Sequence, residues 1–159
     1  MADILDGEQL KRNILSDMRV ELTEEFDKNF ERKAFFTDKW KRRANPNAKG
    51  SLLIVTGTLR RSIRSEVRGN GVRFSSAVPY ASIHNEGGTG TKPVKAHTRR
   101  GKKGKTHHVR AHSRKFNIPK RQFIGDGKRT QEIIQKVVSD NLKDFNVQLT
   151  KVVQTRANK

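Results

Sequence analysis

Apolar residues recur at three- and four-residue steps over two long stretches of this chain, one near each end. Between about residues 7 and 33 the stripe is Leu10, Ile14, Leu15, Met18, Leu22, Phe26 and Phe30, with Glu, Asp, Lys and Arg between them. Ile133, Ile134, Val137, Val138, Leu142, Phe145, Leu149, Val152 and Val153 repeat the pattern over more than five turns. Each predicts a long amphipathic helix with one buried face. The first has a polar face of mixed sign, which suits packing on protein rather than lying on a membrane. For the second, Asp126 or Thr130 is the expected cap, with a break near Asn146 and fraying from Thr155.

The stretch between the stripes reads differently. Ala34-Phe35-Phe36-Thr37-Asp38-Lys39-Trp40 places three aromatics just past the first helix, anchoring a loop to the core or, through Trp40, an oligomer contact. Residues 41–51 are basic and contain Asn, Pro and Gly, so they read as a loop. The run Leu52-Leu53-Ile54-Val55 ends at Thr56-Gly57, after which Thr58 is placed to cap one helical turn through Leu59 to Ile63. Residues 63–68 and 71–77 flank Gly69-Asn70-Gly71 and predict a β-hairpin, its second arm alternating Val72 and Phe74 with polar residues. Val78 to Ile83 is expected to continue as a strand, with Pro79 at a sheet edge or bend. No internal repeat is visible. The layout is one α+β domain over 1–159: a long N-terminal helix within 1–45, a small antiparallel sheet over 52–90, a long inserted loop at 91–117, and a return with the long C-terminal helix over 118–154.

Charge is concentrated in that insertion. The chain of 159 residues has a net charge of +19, with 32% apolar and 32% charged residues, so its core must be thin. Residues 1–45 hold ten acidic and ten basic side chains and cancel. Residues 91–117 hold ten Lys or Arg, four His and no Asp or Glu, about half of the excess. The cations are Lys92, Lys95, Arg99, Arg100, Lys102, Lys103, Lys105, Arg110, Arg114 and Lys115. With Val94, Val109 and Phe116 as its few large apolar residues, the segment predicts an exposed, flexible loop. Lys and Arg without interleaved aromatics suit sequence-independent contact with DNA phosphates, or with an acidic protein surface.

Other chemistry is weakly signalled. There is no cysteine, which excludes disulfides and Cys-containing zinc sites. His97, His107, His108 and His112 cluster in sequence, but no carboxylate accompanies them and the surrounding charge opposes a divalent cation. His84-Asn85-Glu86 lacks a nucleophile to serve, so His84 is read as satisfying backbone groups in a turn. Gly87 to Lys92 lacks the spacing of a phosphate-binding loop. No catalytic residue, metal or cofactor is expected, and a small hydrolase is the weakest of the readings. The start, Met1 to Asp6, lacks a basic region followed by an apolar stretch, and no apolar run approaches a membrane span; the expectation is a soluble protein used without export, with no membrane partner.

Three phrases stand out in order: Thr56-Gly57-Thr58-Leu59-Arg60-Arg61-Ser62-Ile63, then Pro79-Tyr80-Ala81-Ser82-Ile83-His84-Asn85-Glu86-Gly87, then Pro119-Lys120-Arg121-Gln122-Phe123-Ile124-Gly125. Together with Phe35 to Trp40 they resemble the virion-morphogenesis or tail-completion group of tailed bacteriophages over most of residues 25–140. The resemblance implies a structural virion protein, assembled in the host cytoplasm, that completes the tail or joins it to the head at the neck. It further implies a ring, hexameric in the simplest case, around the DNA channel, with neck, connector and tail proteins as partners. On that reading Trp40, Leu59, Ile63, Tyr80, Ile83, His84, Pro119 and Phe123 are structural or interface positions, and Arg121 is a candidate for an intersubunit or intramolecular ion pair. Gly57, Gly87 and Gly125 would permit turns. The insertion exceeds what the family pattern requires; the expectation is that it projects toward the channel and touches DNA. The competing class is a free, monomeric or dimeric protein that binds nucleic acid without sequence preference, for which the net charge is the whole case.

Overall fold

A computed structural model of the chain describes residues 6–45, 47–48, 50–101 and 104–157. Helix α1 spans Gly7–Arg32, started by Asp6, whose carboxylate accepts from Glu8 N–H at 2.9 Å, and stopped by Lys33 in the left-handed region. Strands β1 (Ala34–Phe35) and β2 (Asp38–Lys39) then form a minimal hairpin that turns the aromatic cluster inward. Helix α4 spans Lys128–Ala157, and between them lie α2 (Thr58–Arg61), β3 (Ile63–Arg68), β4 (Gly71–Ser76), α3 (Ala81–Glu86) and four further strands. The α+β architecture with a long helix at each end is as the periodicity predicts.

The two long helices pack antiparallel. Asp17 accepts from Asn141 at 2.9 Å while Glu21 sits 3.9 Å from Lys136 on the next turn. Beneath these surface contacts Leu22 and Phe26 of α1 meet Ile133 and Val137 of α4, with Phe35 and Phe36 closing the cluster. Phe26 is its hub: its ring lies edge-on to Phe74 of β4 at 4.9 Å and within 6.3 Å of Phe35. A second cluster, one turn further along α1, gathers Phe30, Trp40, Leu59, Ala81 and Phe123. Two aromatic clusters fixed to one helix are thus what a thin core amounts to here.

Several local expectations are corrected. The strands do not form one sheet; they pair as separate two-stranded antiparallel ribbons. Val78 to Ile83 is no strand: after Pro79 the chain winds into α3, and Ala81 enters the core. Thr58 is the first residue of α2 rather than its cap; buried Gly57, at φ 73°, precedes it. Helix α4 begins after Gly127, whose carbonyl accepts from Gln131, so neither Asp126 nor Thr130 occupies the cap position. It then runs through Asn146 and past Thr155 without a break.

The main correction concerns the insertion. Residues 88–118 are a long β-ribbon: β5 (Gly88–Val94) pairs with β8 (His112–Ile118), and β6 (His97–Arg100) with β7 (Thr106–Val109). Every pair from Gly88↔Ile118 to Arg100↔Thr106 keeps the same register, although the ladder is interrupted at Lys95-Ala96 and Arg110-Ala111. At about 3.3 Å per residue the arm is about 40 Å long. The segment lacks a core, as its composition foretells; the ladder pairs the inward backbone groups of the two strands and leaves the outward ones on both edges to water.

Candidate functional site

Two regions hold the residues singled out in the sequence. The first is a cleft of about 510 Å³ bordered by Leu52, Leu53, Val55, Gly57, Leu59, Tyr80, His84 and Arg121. It forms because α2 and α3 both lean on the second aromatic cluster, which leaves their outer ends facing each other. Members of all three sequence phrases therefore meet, although more than sixty positions separate Gly57 from Arg121. Tyr80 is half exposed there, and its ring stands edge-on to His84 at 5.9 Å.

Backbone bonds tie the phrases together. Arg121 N–H donates to the His84 carbonyl at 2.9 Å, and the Asn85 side-chain oxygen accepts from Phe123 N–H at 2.9 Å and from Ile124 N–H at 3.2 Å. The buried Arg121 guanidinium donates to the carbonyls of Lys41 at 2.9 Å and Arg42 at 3.3 Å. Among the described residues it is in no ion pair within the chain and serves as a backbone clamp, and burial with Arg43 nearby pushes its pKa below the ordinary value. His84 engages the turn through its carbonyl, whereas its ring Nδ1 is buried without a hydrogen-bond partner. Burial, reinforced by Arg121, holds the imidazole pKa below its usual value, which favours the neutral ring.

Trp40, Leu59 and Phe123 are core residues, and Trp40 Nε1–H donates to the Gln122 carbonyl at 2.6 Å. Ile63 packs against the same cluster, and Ile83 lies where a Cβ at Gly88, at the base of the arm, would come within 3.3 Å of it. Pro119 is half-buried where the arm rejoins the domain. Gly57, Gly87 and Gly125 all have positive φ, at 73°, 77° and 128°. Sequence reasoning missed Asn29, fully buried, which accepts from Phe36 N–H at 2.8 Å and donates to the Phe123 carbonyl at 3.2 Å. A polar residue on the apolar stripe, one place before Phe30, is the signal that marks it.

The second region is the arm. Lys92, Arg99, Arg100, Arg114 and Lys115 lie on its strands, Lys95 and Arg110 at its two interruptions, and Lys105 at its tip; all are exposed. Lys102 and Lys103 lie outside the described residues. Among the described residues no arm cation is in an ion pair, and Lys92 stands directly opposite Arg114. Like charges facing each other across a ladder are destabilising, so the arm is electrostatically unsatisfied in isolation. The four histidines sit on strands, and among the described residues no group of three His, Asp or Glu is placed to hold a metal. His97 and His112 instead each donate from Nδ1–H to a carbonyl two residues back, Lys95 at 3.0 Å and Arg110 at 2.9 Å. The likeness of these bonds exposes a repeat that the sequence reading missed. Val94-Lys95-Ala96-His97-Thr98-Arg99-Arg100 and Val109-Arg110-Ala111-His112-Ser113-Arg114-Lys115 agree in chemical class at every position.

The family model for phage virion morphogenesis matches residues 6–143, from the start of α1 through the arm and well into α4. The chain belongs to the phage virion morphogenesis family. Its role is accordingly in building the phage virion, a structural task, and the cleft and arm are features of a virion morphogenesis protein. No curated protein and no solved structure matches the chain. Among the described residues no helix is long and apolar enough to cross a membrane.

Proposed function

We propose that this member of the family completes the tail or joins it to the head at the neck, as a ring, hexameric in the simplest case, around the DNA channel. The observation that carries the reading is the arm: a family member that builds virions bears a stiff basic projection about 40 Å long, with its cations unpaired among the described residues. The partner that a channel supplies is the phosphate backbone of DNA, which neutralises such a charge without regard to sequence.

The outer half of α4 supports the ring. Leu142, Leu149 and Val153 share one exposed face of α4, an apolar surface suited to a neighbouring subunit. The motif cleft, with half-exposed Tyr80 at its wall, is a second candidate contact for a subunit or another neck, connector or tail protein. Electron microscopy and mass measurement of the purified protein, alone and with tail proteins, test the assembly: rings are expected. Dispersed monomers or dimers that bind duplex DNA in a salt-sensitive way would support the free nucleic-acid-binding class instead. Deleting residues 92–115 tests the arm in the phage; particles that assemble and retain DNA normally would overturn its role.

A further inference from the structure

The two copies of the heptapeptide are fifteen positions apart, an odd number, in a ribbon whose register never slips. Alternation along a strand therefore puts matching residues of the two copies on opposite faces. One face carries Val94 beside His112, with Lys92, Arg100 and Arg114 on the paired strands and Arg110 where the alternation is continued through the interruption. The other carries Val109 beside His97, with Lys95, Arg99 and Lys115. The first face bears Phe116 and Ile118 at the base of the arm; beyond them neither face is apolar, neither contains an acid, and three or more cations stand on each.

A ribbon meant to lie flat on one surface needs only one charged face, and the other is then free to be apolar or neutral. This arm is charged alike on both sides, so its complement is anionic on both sides. Duplex DNA offers that arrangement in its major groove, where two phosphate backbones flank a channel about 12 Å wide. A two-stranded ribbon with side chains on both faces is about 10 Å thick, which fits that groove and not the minor groove of about 6 Å.

We infer that the arm enters the major groove of duplex DNA edge-on, one face toward the phosphates of each strand. The inference rests on the proposed contact between arm and DNA, and extends it to the form of DNA and the manner of insertion. It does not depend on where in the virion the protein sits.

The test uses the purified full-length chain and a mixed-sequence duplex, with binding measured across a salt series. Two triple variants each remove three cations from one face: Lys92→Gln/Arg110→Gln/Arg114→Gln and Lys95→Gln/Arg99→Gln/Lys115→Gln. Each is expected to flatten the log affinity against log salt slope by about 2 to 3 and, at about 0.1 M salt, to weaken binding by about two orders of magnitude. Lys-to-Arg and Arg-to-Lys exchanges at the same positions should restore both quantities. Hydroxyl-radical footprinting of the unmodified protein should show protection on both strands, flanking a major groove. A triple variant that binds as the unmodified chain does, or protection of one strand only, overturns the groove insertion while leaving DNA contact standing. Competition by single-stranded DNA or polyglutamate as effective as by duplex also overturns it, pointing to a one-sided anionic partner. Absence of any duplex binding removes the inference and the DNA contact together, while the ring and neck assignment stands or falls on microscopy.

Discussion

Gly87 joins α3 to the arm at φ 77°, and a Cβ there would lie 2.7 Å from Lys120 N and 3.1 Å from the Ile118 carbonyl oxygen. Backbone strain and collision with main chain add, so Gly87→Ala should cost about 2 kcal/mol or more. That corresponds to a fall in Tm of roughly 5 °C in a chain of this size. Gly69 has φ 60° with open space around it, so Gly69→Asn should leave Tm nearly unchanged and serves as the control. Asn29→Ala strands the Phe36 N–H and the Phe123 carbonyl, for a loss of about 2 to 3 kcal/mol by denaturant unfolding. His84 contributes to acid sensitivity. Its folded pKa is lowered, so its contribution is complete above the ordinary imidazole value of about 6.5 and is lost as pH falls through the folded value below that. His84→Gln should therefore flatten the fall in Tm between neutral and mildly acid pH, which thermal melts across that range would show. None of these roles except the turn glycines was legible in the sequence. A buried amide bridging two segments 94 positions apart becomes visible only once α1 and the Phe123 loop are packed together.

At the scale of elements, legibility followed periodicity. Leu22, Phe26, Ile133 and Val137 sit on three- and four-residue steps and do form the α1–α4 seam. The hairpin of β3 and β4 announced itself through Gly69-Asn70-Gly71, and Phe74 faces Phe26 as its alternation requires. The arm was not legible because a scarcity of large apolar residues argues against a buried core but not against a two-stranded ladder, whose pairing of Gly88–Val94 with His112–Ile118 buries little. Val78 to Ile83 was misread because a short apolar run has no period long enough to separate a strand from a helical turn. The outer part of α4 makes its own prediction. Leu149 and Val153 are 43% and 57% exposed, so Leu149→Glu/Val153→Glu should leave Tm within about 1 °C while abolishing self-association in sedimentation experiments.

The whole molecule divides its labour between a small domain, tied by two aromatic clusters to α1, and an arm that owes the domain little beyond its base. The net charge of +19 is therefore not spread over the surface: residues 1–45 are neutral overall, while the arm holds about half the excess. Removing the arm should consequently abolish most of the salt dependence of DNA binding yet leave the unfolding transition of the domain in place, as calorimetry with and without residues 92–115 would show. The unslipped register has one more consequence. In an ordinary sheet, adding a single residue to each strand turns an apolar face toward water. Beyond Phe116 and Ile118 at its base this ribbon has no apolar face to lose, so one residue inserted on each side of the tip extends it by about 3.3 Å and merely exchanges two like charged surfaces. The arm is in that sense a ruler: its reach can be reset one residue pair at a time, by mutation or by design, with the core left as it is.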